Sequence, residues 1–87
     1  MATLYKANGE KKQVSSKRKR FSLSELQAAV GGYVEYIHLG NDKVLVVNED
    51  GLLLNLPINE NASKITAQFG YVPIVGDALV ADRNQIY

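Results

Sequence analysis

The chain has 87 residues, a formal net charge of +1 and no cysteine, and 46% of its residues are hydrophobic. This length and composition indicate one globular domain with a small core, residues 1–87, and argue against a disordered chain. The lack of cysteine excludes a disulfide framework and a thiolate metal site. No apolar run approaches the roughly 18 residues of a membrane span, and the N-terminus does not resemble a signal peptide. We therefore expect a cytoplasmic protein that does not bind membranes.

Charge is distributed unevenly along the chain. Residues 1–20 contain seven of the ten basic residues and only one of the nine acidic residues, which gives a net charge of +6 there and of −5 over residues 21–87. Most of these cations lie in the segment Lys11–Arg20. This polarity favours binding of an anion at the basic end, or of another copy of the protein head to tail.

The first 20 residues predict a β-hairpin followed by a basic loop. Residues 2–7 alternate weakly, and Asn8-Gly9 is a strong hairpin signal because both residue types tolerate positive φ. Glu10–Val14 is the expected returning strand. Ser15–Arg20 is a polar, basic connection.

A helix is predicted over Leu23–Val30. Ser22 precedes it as an N-cap residue, and Glu25 is placed three residues later, as in a capping box. Gly31 follows its last residue and can adopt the left-handed conformation that ends many helices.

Two strands follow the helix. Tyr33–Leu39 is rich in β-branched and aromatic residues, and Lys43–Asn48 is the most apolar segment, so we expect it to be central in its sheet. Gly40–Asp42 forms the turn between them. Asn48–Gly51 fits a type I turn, which predicts that Leu52–Leu54 returns antiparallel.

The last third of the chain predicts a short helix, about 60–68, with Asn59 as its N-cap. Pro73 confines Val72–Val75 to an edge strand or a loop, and a final strand is expected over Ala78–Asp82. The fold class is therefore α+β, with an antiparallel sheet of five to six short strands and the first helix, about 23–30, packed on one face. The expected core residues are Leu4, Leu23, Leu26, Val30, Val34, Ile37, Val44, Val46, Leu53, Ile65 and Leu79.

Catalytic and metal-binding patterns are weak. His38 is the single histidine, and without cysteine or a carboxylate at ligand spacing it does not predict a metal site. Glu35, Glu49 and Asp50 could supply a pair of carboxylates for acid–base chemistry if the sheet brought them together. The alternative is that Glu49 and Asp50 are turn residues and that Glu35 is a solvated strand position. We expect no enzymatic activity, no metal and no cofactor.

The basic loop is the best candidate for binding. Lys17, Arg18 and Arg20 are expected to contact phosphate groups, and Tyr33 or Tyr36 would stack on a base at an interface between copies. The alternative is a solvated loop with no partner.

A set of short motifs recurs in a known pattern over roughly residues 21–82. These motifs are Leu26-Gln27, Val30-Gly31-Gly32, Glu35, Asn48-Glu49-Asp50-Gly51, Leu56-Pro57, Asn59 and Val75-Gly76. In this pattern the sequence resembles a family of small proteins classed as a domain of unknown function and common in bacteriophages, prophages and mobile elements of gut bacteria. The resemblance leaves out the basic N-terminal hairpin. It implies an origin in a phage or mobile element, hence action inside a bacterial host cell, and no activity or catalytic residue.

Several polar residues of these motifs stand in apolar surroundings. They would converge at the end of the sheet into a hydrogen-bonding pocket, which makes Glu35, Asn48 and Glu49 candidate ligand-binding residues. Gln27 and Asn59 belong to the same set.

Two functions follow from these patterns. The first is sequestration of a nucleotide-type small ligand to counter host defence. The alternative is a regulator that binds nucleic acid or a host protein through Lys11–Arg20. A small chain with an apolar second half is also expected to form a homo-oligomer, most simply a dimer.

Overall fold

The computed structural model describes residues 2–70 and 73–87. It contains an antiparallel sheet of five strands in the order β2-β1-β5-β4-β3 and two α-helices, which confirms the α+β prediction. None of the helices in this part of the chain is long and apolar enough to cross a membrane. The elements are β1 (Ala2–Tyr5), β2 (Lys11–Val14), α1 (Leu23–Val30), β3 (Val34–Gly40), β4 (Lys43–Asn48), α2 (Glu60–Ala67), β5 (Ala78–Asp82) and a 3₁₀ helix (Arg83–Gln85).

The two helices lie on opposite faces of the sheet, because successive strand residues point to opposite sides. On one face, Leu26 of α1 is buried in a cluster with Val46 and Leu79. On the other face, Ala62 of α2 is buried in a second cluster with Leu45. All six residues of β4 except Lys43 are buried. β4 is therefore an interior strand, as predicted, although β5 is the middle one.

Helix α1 has the predicted bounds and ends. The hydroxyl of Ser22 accepts from the Glu25 N–H at 3.2 Å, and the Glu25 carboxylate accepts from the Ser22 N–H at 2.9 Å, which completes the capping box. Gly31 ends the helix with φ +80°, and its N–H donates to the Gln27 carbonyl at 2.8 Å. The predicted Leu23 is not a core residue, since it is 40% exposed on the outer side of α1.

The prediction for Leu52–Leu54 was wrong. These residues form a chain of turns instead of a strand, and Leu53, expected in the core, is 84% exposed. The N–H of Leu54 donates to the Asp50 carbonyl at 2.9 Å, so the chain coils on itself after β4 and makes no ladder with it. Three apolar residues in a row fit a strand by composition, but the hydrogen bonds of this segment are local.

Helix α2 begins where Asn59 caps it and ends one residue before the predicted Gln68. The expected segment 72–75 is partly outside the described residues. Within it, Val75 makes an isolated antiparallel bridge with Ile58 and belongs to no strand.

The segment after β5 returns to the start of α1. Phe21 and Ile86 form an isolated parallel bridge. The Phe21 N–H donates to the Gln85 carbonyl at 2.6 Å, and the Tyr87 N–H donates to the Phe21 carbonyl at 3.0 Å. These bonds hold residues 85–87 against the face of the sheet that carries α1.

Candidate functional site

An open cleft of about 340 Å³ lies between the hairpin of β3 and β4 and the C-terminal segment. We call it the tyrosine cleft. It is lined by Tyr36, His38, Val44, Arg83, Ile86 and Tyr87.

Strand register explains how the sheet contributes to the tyrosine cleft. Tyr36 and His38 are two positions apart on β3, so their side chains point to the same face of the sheet. His38 is paired with Val44 of β4, whose buried side chain lies beneath the cleft. The 3₁₀ helix contributes Arg83, whose backbone N–H donates to the Asp42 carbonyl at 2.8 Å and thereby ties the C-terminal segment to the β3–β4 turn.

The two tyrosines of the cleft are joined by their hydroxyl groups, which are 3.1 Å apart. Desolvation of Tyr36 and its hydrogen bond to Tyr87 raise the pKa of Tyr36 to about 12. The Tyr36 hydroxyl is therefore neutral at physiological pH and keeps its proton as a hydrogen-bond donor.

Arg83 is the cation of the tyrosine cleft. Its guanidinium is 3.9 Å from the Asp42 carboxylate, and the two side chains are 63% and 90% exposed. An exposed pair at this distance is worth little, so Arg83 can turn to another anion at small cost. His38 is exposed beside it.

A second cavity, of about 190 Å³, brings together three of the predicted site residues. Glu35, Asn48 and Glu49 line it with apolar residues of β3, β4 and the segment 73–75. Asn48 is only 6% exposed, its amide donates to the Val30 carbonyl at 3.1 Å and its oxygen accepts from the Asp50 N–H at 2.8 Å. Its polar atoms therefore hold α1 and the turn after β4.

The remaining residues of the predicted polar pocket lie elsewhere. Asn59 is fully buried at the start of α2, where its side chain bonds to Tyr5, Ala62 and Gly76. Gln27 is half-buried on α1. The five polar motif residues thus do not converge on one site.

The residues of the basic loop do not line the tyrosine cleft, although Phe21, which follows the loop, bonds to Gln85 and Tyr87 beside it. Lys17 lines a third cavity, mostly apolar, under α1, and its backbone N–H donates to the Glu25 carboxylate at 3.0 Å. Arg18 and Arg20 are exposed between β2 and α1, and Tyr33 is 68% exposed before β3. Tyr36 is therefore the one predicted binding residue that lines the tyrosine cleft.

Arg83 and Tyr87 were not among the predicted site residues, and His38 was interpreted as an ordinary strand residue. His38 shares a face with Tyr36 in the predicted alternation, which was a usable signal. No local pattern indicates that residues 83–87 return to β3, since the Phe21–Ile86 bridge joins distant parts of the chain.

Among the described residues, no group of three histidine, cysteine or acidic side chains is arranged to hold a metal ion. No curated protein and no solved structure matches this chain. A protein-family model described as "Domain of unknown function (DUF3846)" matches residues 1–85, a range that includes the basic hairpin left out of the resemblance. The chain belongs to this family of unknown function.

Proposed function

We propose that this protein binds a small anionic ligand of nucleotide type in the tyrosine cleft and has no catalytic activity of its own. The observation that carries the proposal is the lining of the cleft, where Arg83, Tyr36 and Tyr87 surround one space above apolar Val44. A volume of about 340 Å³ lies in the range of small-molecule sites.

Each group would bind a different part of such a ligand. The planar guanidinium of Arg83 matches two phosphate oxygens. An aromatic base can stack on a tyrosine ring, and such stacking contributes about 1–3 kcal/mol per base. Tyr36 donates its hydroxyl proton to Tyr87, so the hydroxyl of Tyr87 would be the one that donates to a base or sugar oxygen.

The proposed biological role is sequestration. For a chain that resembles proteins of phages and mobile elements, tight binding without turnover would lower the free concentration of a nucleotide signal in the host cell. The non-enzymatic part of the proposal rests on the lining of the cleft, where the described residues place no carboxylate, serine or threonine with His38.

The test is calorimetric titration with a panel of mononucleotides and cyclic dinucleotides. Arg83→Ala should weaken binding about tenfold or more, which is about 1.4 kcal/mol. Arg18→Ala is the matched control, because it removes the same charge from an exposed loop outside the tyrosine cleft.

Two results would contradict the proposal. One is no binding by the wild type at millimolar ligand. The other is an equal loss of affinity for Arg18→Ala and Arg83→Ala, which would assign the effect to the net charge of the protein and not to Arg83 in the cleft.

A second candidate function is binding of nucleic acid through Lys11–Arg20. Lys11 and Lys12 lie exposed on the edge strand β2. The exposed run Lys17–Arg20 begins three residues after the end of β2. A strand edge and a loop that are both cationic suit a phosphate backbone. Such binding would weaken steeply with salt and would be lost on neutralising Lys11 and Lys12, whereas Arg83→Ala would leave it unchanged.

A further inference from the structure

We infer that two copies of this chain pair through the outer edges of their β3 strands, in antiparallel register, to form a continuous ten-stranded sheet. β3 ends the sheet and is its longest strand, Val34–Gly40. Within residues 2–70 and 73–87, no strand pairs with its outer edge. An unprotected edge of this kind is a template for another strand.

The register of β3 identifies the groups that face outward. The Glu49 N–H donates to the Tyr33 carbonyl at 2.8 Å, so residue 33 and every second residue after it bond toward β4. Val34, Tyr36 and His38 therefore direct their N–H and C=O groups away from the sheet. The register shift lies between His38 and Gly40 and leaves this stretch regular.

A two-fold axis at Tyr36 satisfies all of these groups. It sets Tyr36 opposite the partner's Tyr36, and it sets Val34 opposite the partner's His38. The three residues of each copy then exchange about six backbone hydrogen bonds. On the other face of the sheet, Glu35 lies opposite the partner's Ile37, so no carboxylate faces a carboxylate.

The opposite edge of the sheet is unsuited to the same pairing. β2 has four residues, and Lys11, Lys12 and Gln13 are all exposed on it. Lysines on a short edge strand are a common protection against strand addition. β3 has no lysine, arginine or proline. Pairing of β3 with β3 also closes on itself, whereas pairing of β3 with β2 would propagate into a fibre.

The dimer would join the two tyrosine clefts. Residues opposite each other in an antiparallel pair point to the same face, so the partner's Tyr36 would stand beside Tyr36, and the partner's Val34 beside His38. Any effect of this arrangement on ligand binding rests on the proposed function. The pairing of the strands does not depend on that function, and the experiments that test it use no ligand.

Sedimentation equilibrium between about 1 μM and about 1 mM covers the range in which small interfaces dissociate. The mass should rise with concentration from 9.6 kDa toward twice that value. Val34→Pro removes an outward N–H, which an edge strand tolerates, and it should raise the dissociation constant about tenfold or more. Val34→Ala keeps the N–H, so it is the matched control for the lost side chain.

Cross-linking tests the register and does not depend on how well the proline variant folds. The chain has no cysteine, and paired residues at the axis would have Cα atoms about 5.5 Å apart, within disulfide range. Tyr36→Cys should therefore form a disulfide-linked dimer under mild oxidation, and the exposed Asn84→Cys should not. A wild type that stays monomeric to 1 mM overturns the inference. So does a dimer that forms without cross-linking at position 36, because its contact must then lie elsewhere.

Discussion

Asn59 and Tyr5 are 54 positions apart in the chain, yet the amide nitrogen of Asn59 donates to the Tyr5 carbonyl at 2.7 Å. The same nitrogen donates to the Gly76 carbonyl at 2.8 Å, and the Asn59 oxygen accepts from the Ala62 N–H at 3.1 Å. One fully buried side chain thus joins the end of β1, the first turn of α2 and the loop before β5.

Asn59→Ala should lower the free energy of unfolding by about 2–5 kcal/mol. It removes a helix cap, and it removes the amide donor from one buried and one partly buried carbonyl group. Chemical denaturation measures this change, and the exposed Asn84→Ala should stay within about 0.5 kcal/mol of wild type. Asn59→Asp keeps the cap acceptor but not the donors. If it equals the wild type in stability, the cap alone matters and the long-range bonds do not.

Substitution by alanine should destabilise the protein more at Gly76 than at Gly31. The two glycines have nearly the same backbone, with φ +78° and +80°, so alanine meets the same strain of about 1–2 kcal/mol at either. A Cβ at Gly76 would lie 2.7 Å from Leu56 Cδ1, whereas a Cβ at Gly31 meets no atom within 4 Å. Gly76→Ala should therefore cost about 1–3 kcal/mol more. Equal midpoints in urea for both variants would contradict the crowding at Leu56.

Acid should weaken the start of α1. Backbone hydrogen bonds from Ser22 and then from Lys17 lower the pKa of Glu25 below 4.5. A carboxyl group whose pKa is lower in the folded protein than in the unfolded chain stabilises the fold at every pH above the unfolded pKa. This contribution is lost as the pH falls through the folded pKa. Glu25→Gln should be less stable than wild type at neutral pH, and the difference in melting temperature should shrink below pH 4.5.

That difference should survive in about 1 M salt, since hydrogen bonds rather than an ion pair are its main cause. A difference that salt abolishes would assign the effect of Glu25 to the charge of Lys17 instead.

Tyr36 should ionise later than a free tyrosine in an ultraviolet titration, near pH 12. Its contribution to stability is complete below pH 10 and is lost as pH rises toward 12. Tyr87→Phe should lower the pKa of Tyr36 only part of the way to 10, because desolvation is the larger cause. Tyr33→Phe, at an exposed position, is the control, because it also removes one tyrosine from the absorbance signal. A complete return to 10 in Tyr87→Phe would show that burial contributes nothing.

Much of the fold could be predicted because its signals are local. The capping box of Ser22 and Glu25 lies within four residues, and the turn of β3 and β4 has Asn41 and Asp42, both of which adopt positive φ. The leucines after Gly51 led to a wrong prediction, because amino-acid composition does not show whether a neighbouring strand is available for pairing. The burial of Leu53 depends on such a neighbouring strand and not on its own residue type.

The candidate site was less predictable than the fold. Tyr36 was identified from its residue type, but its neighbours Arg83 and Tyr87 reach it only because residues 85–87 bond to Phe21. Asn59 was predicted to cap α2 and Asn48 to begin a turn, but both were also assigned to a polar pocket, and their side chains instead bond to distant backbone groups. Polar residues among apolar neighbours indicate buried positions. Here the hydrogen-bonding groups of these buried side chains find their partners in the protein itself.

The middle position of β5 has a consequence for the order of assembly. β1 and β4 each pair with β5 and not with each other, so the hairpins β1–β2 and β3–β4 remain separate until Ala78–Asp82 is available. During synthesis the ribosome must release β5 before the sheet can close, and contacts between such distant segments form slowly. A nascent chain halted before residue 78 should therefore hold two hairpins without a shared core, and it should become resistant to protease only when β5 emerges.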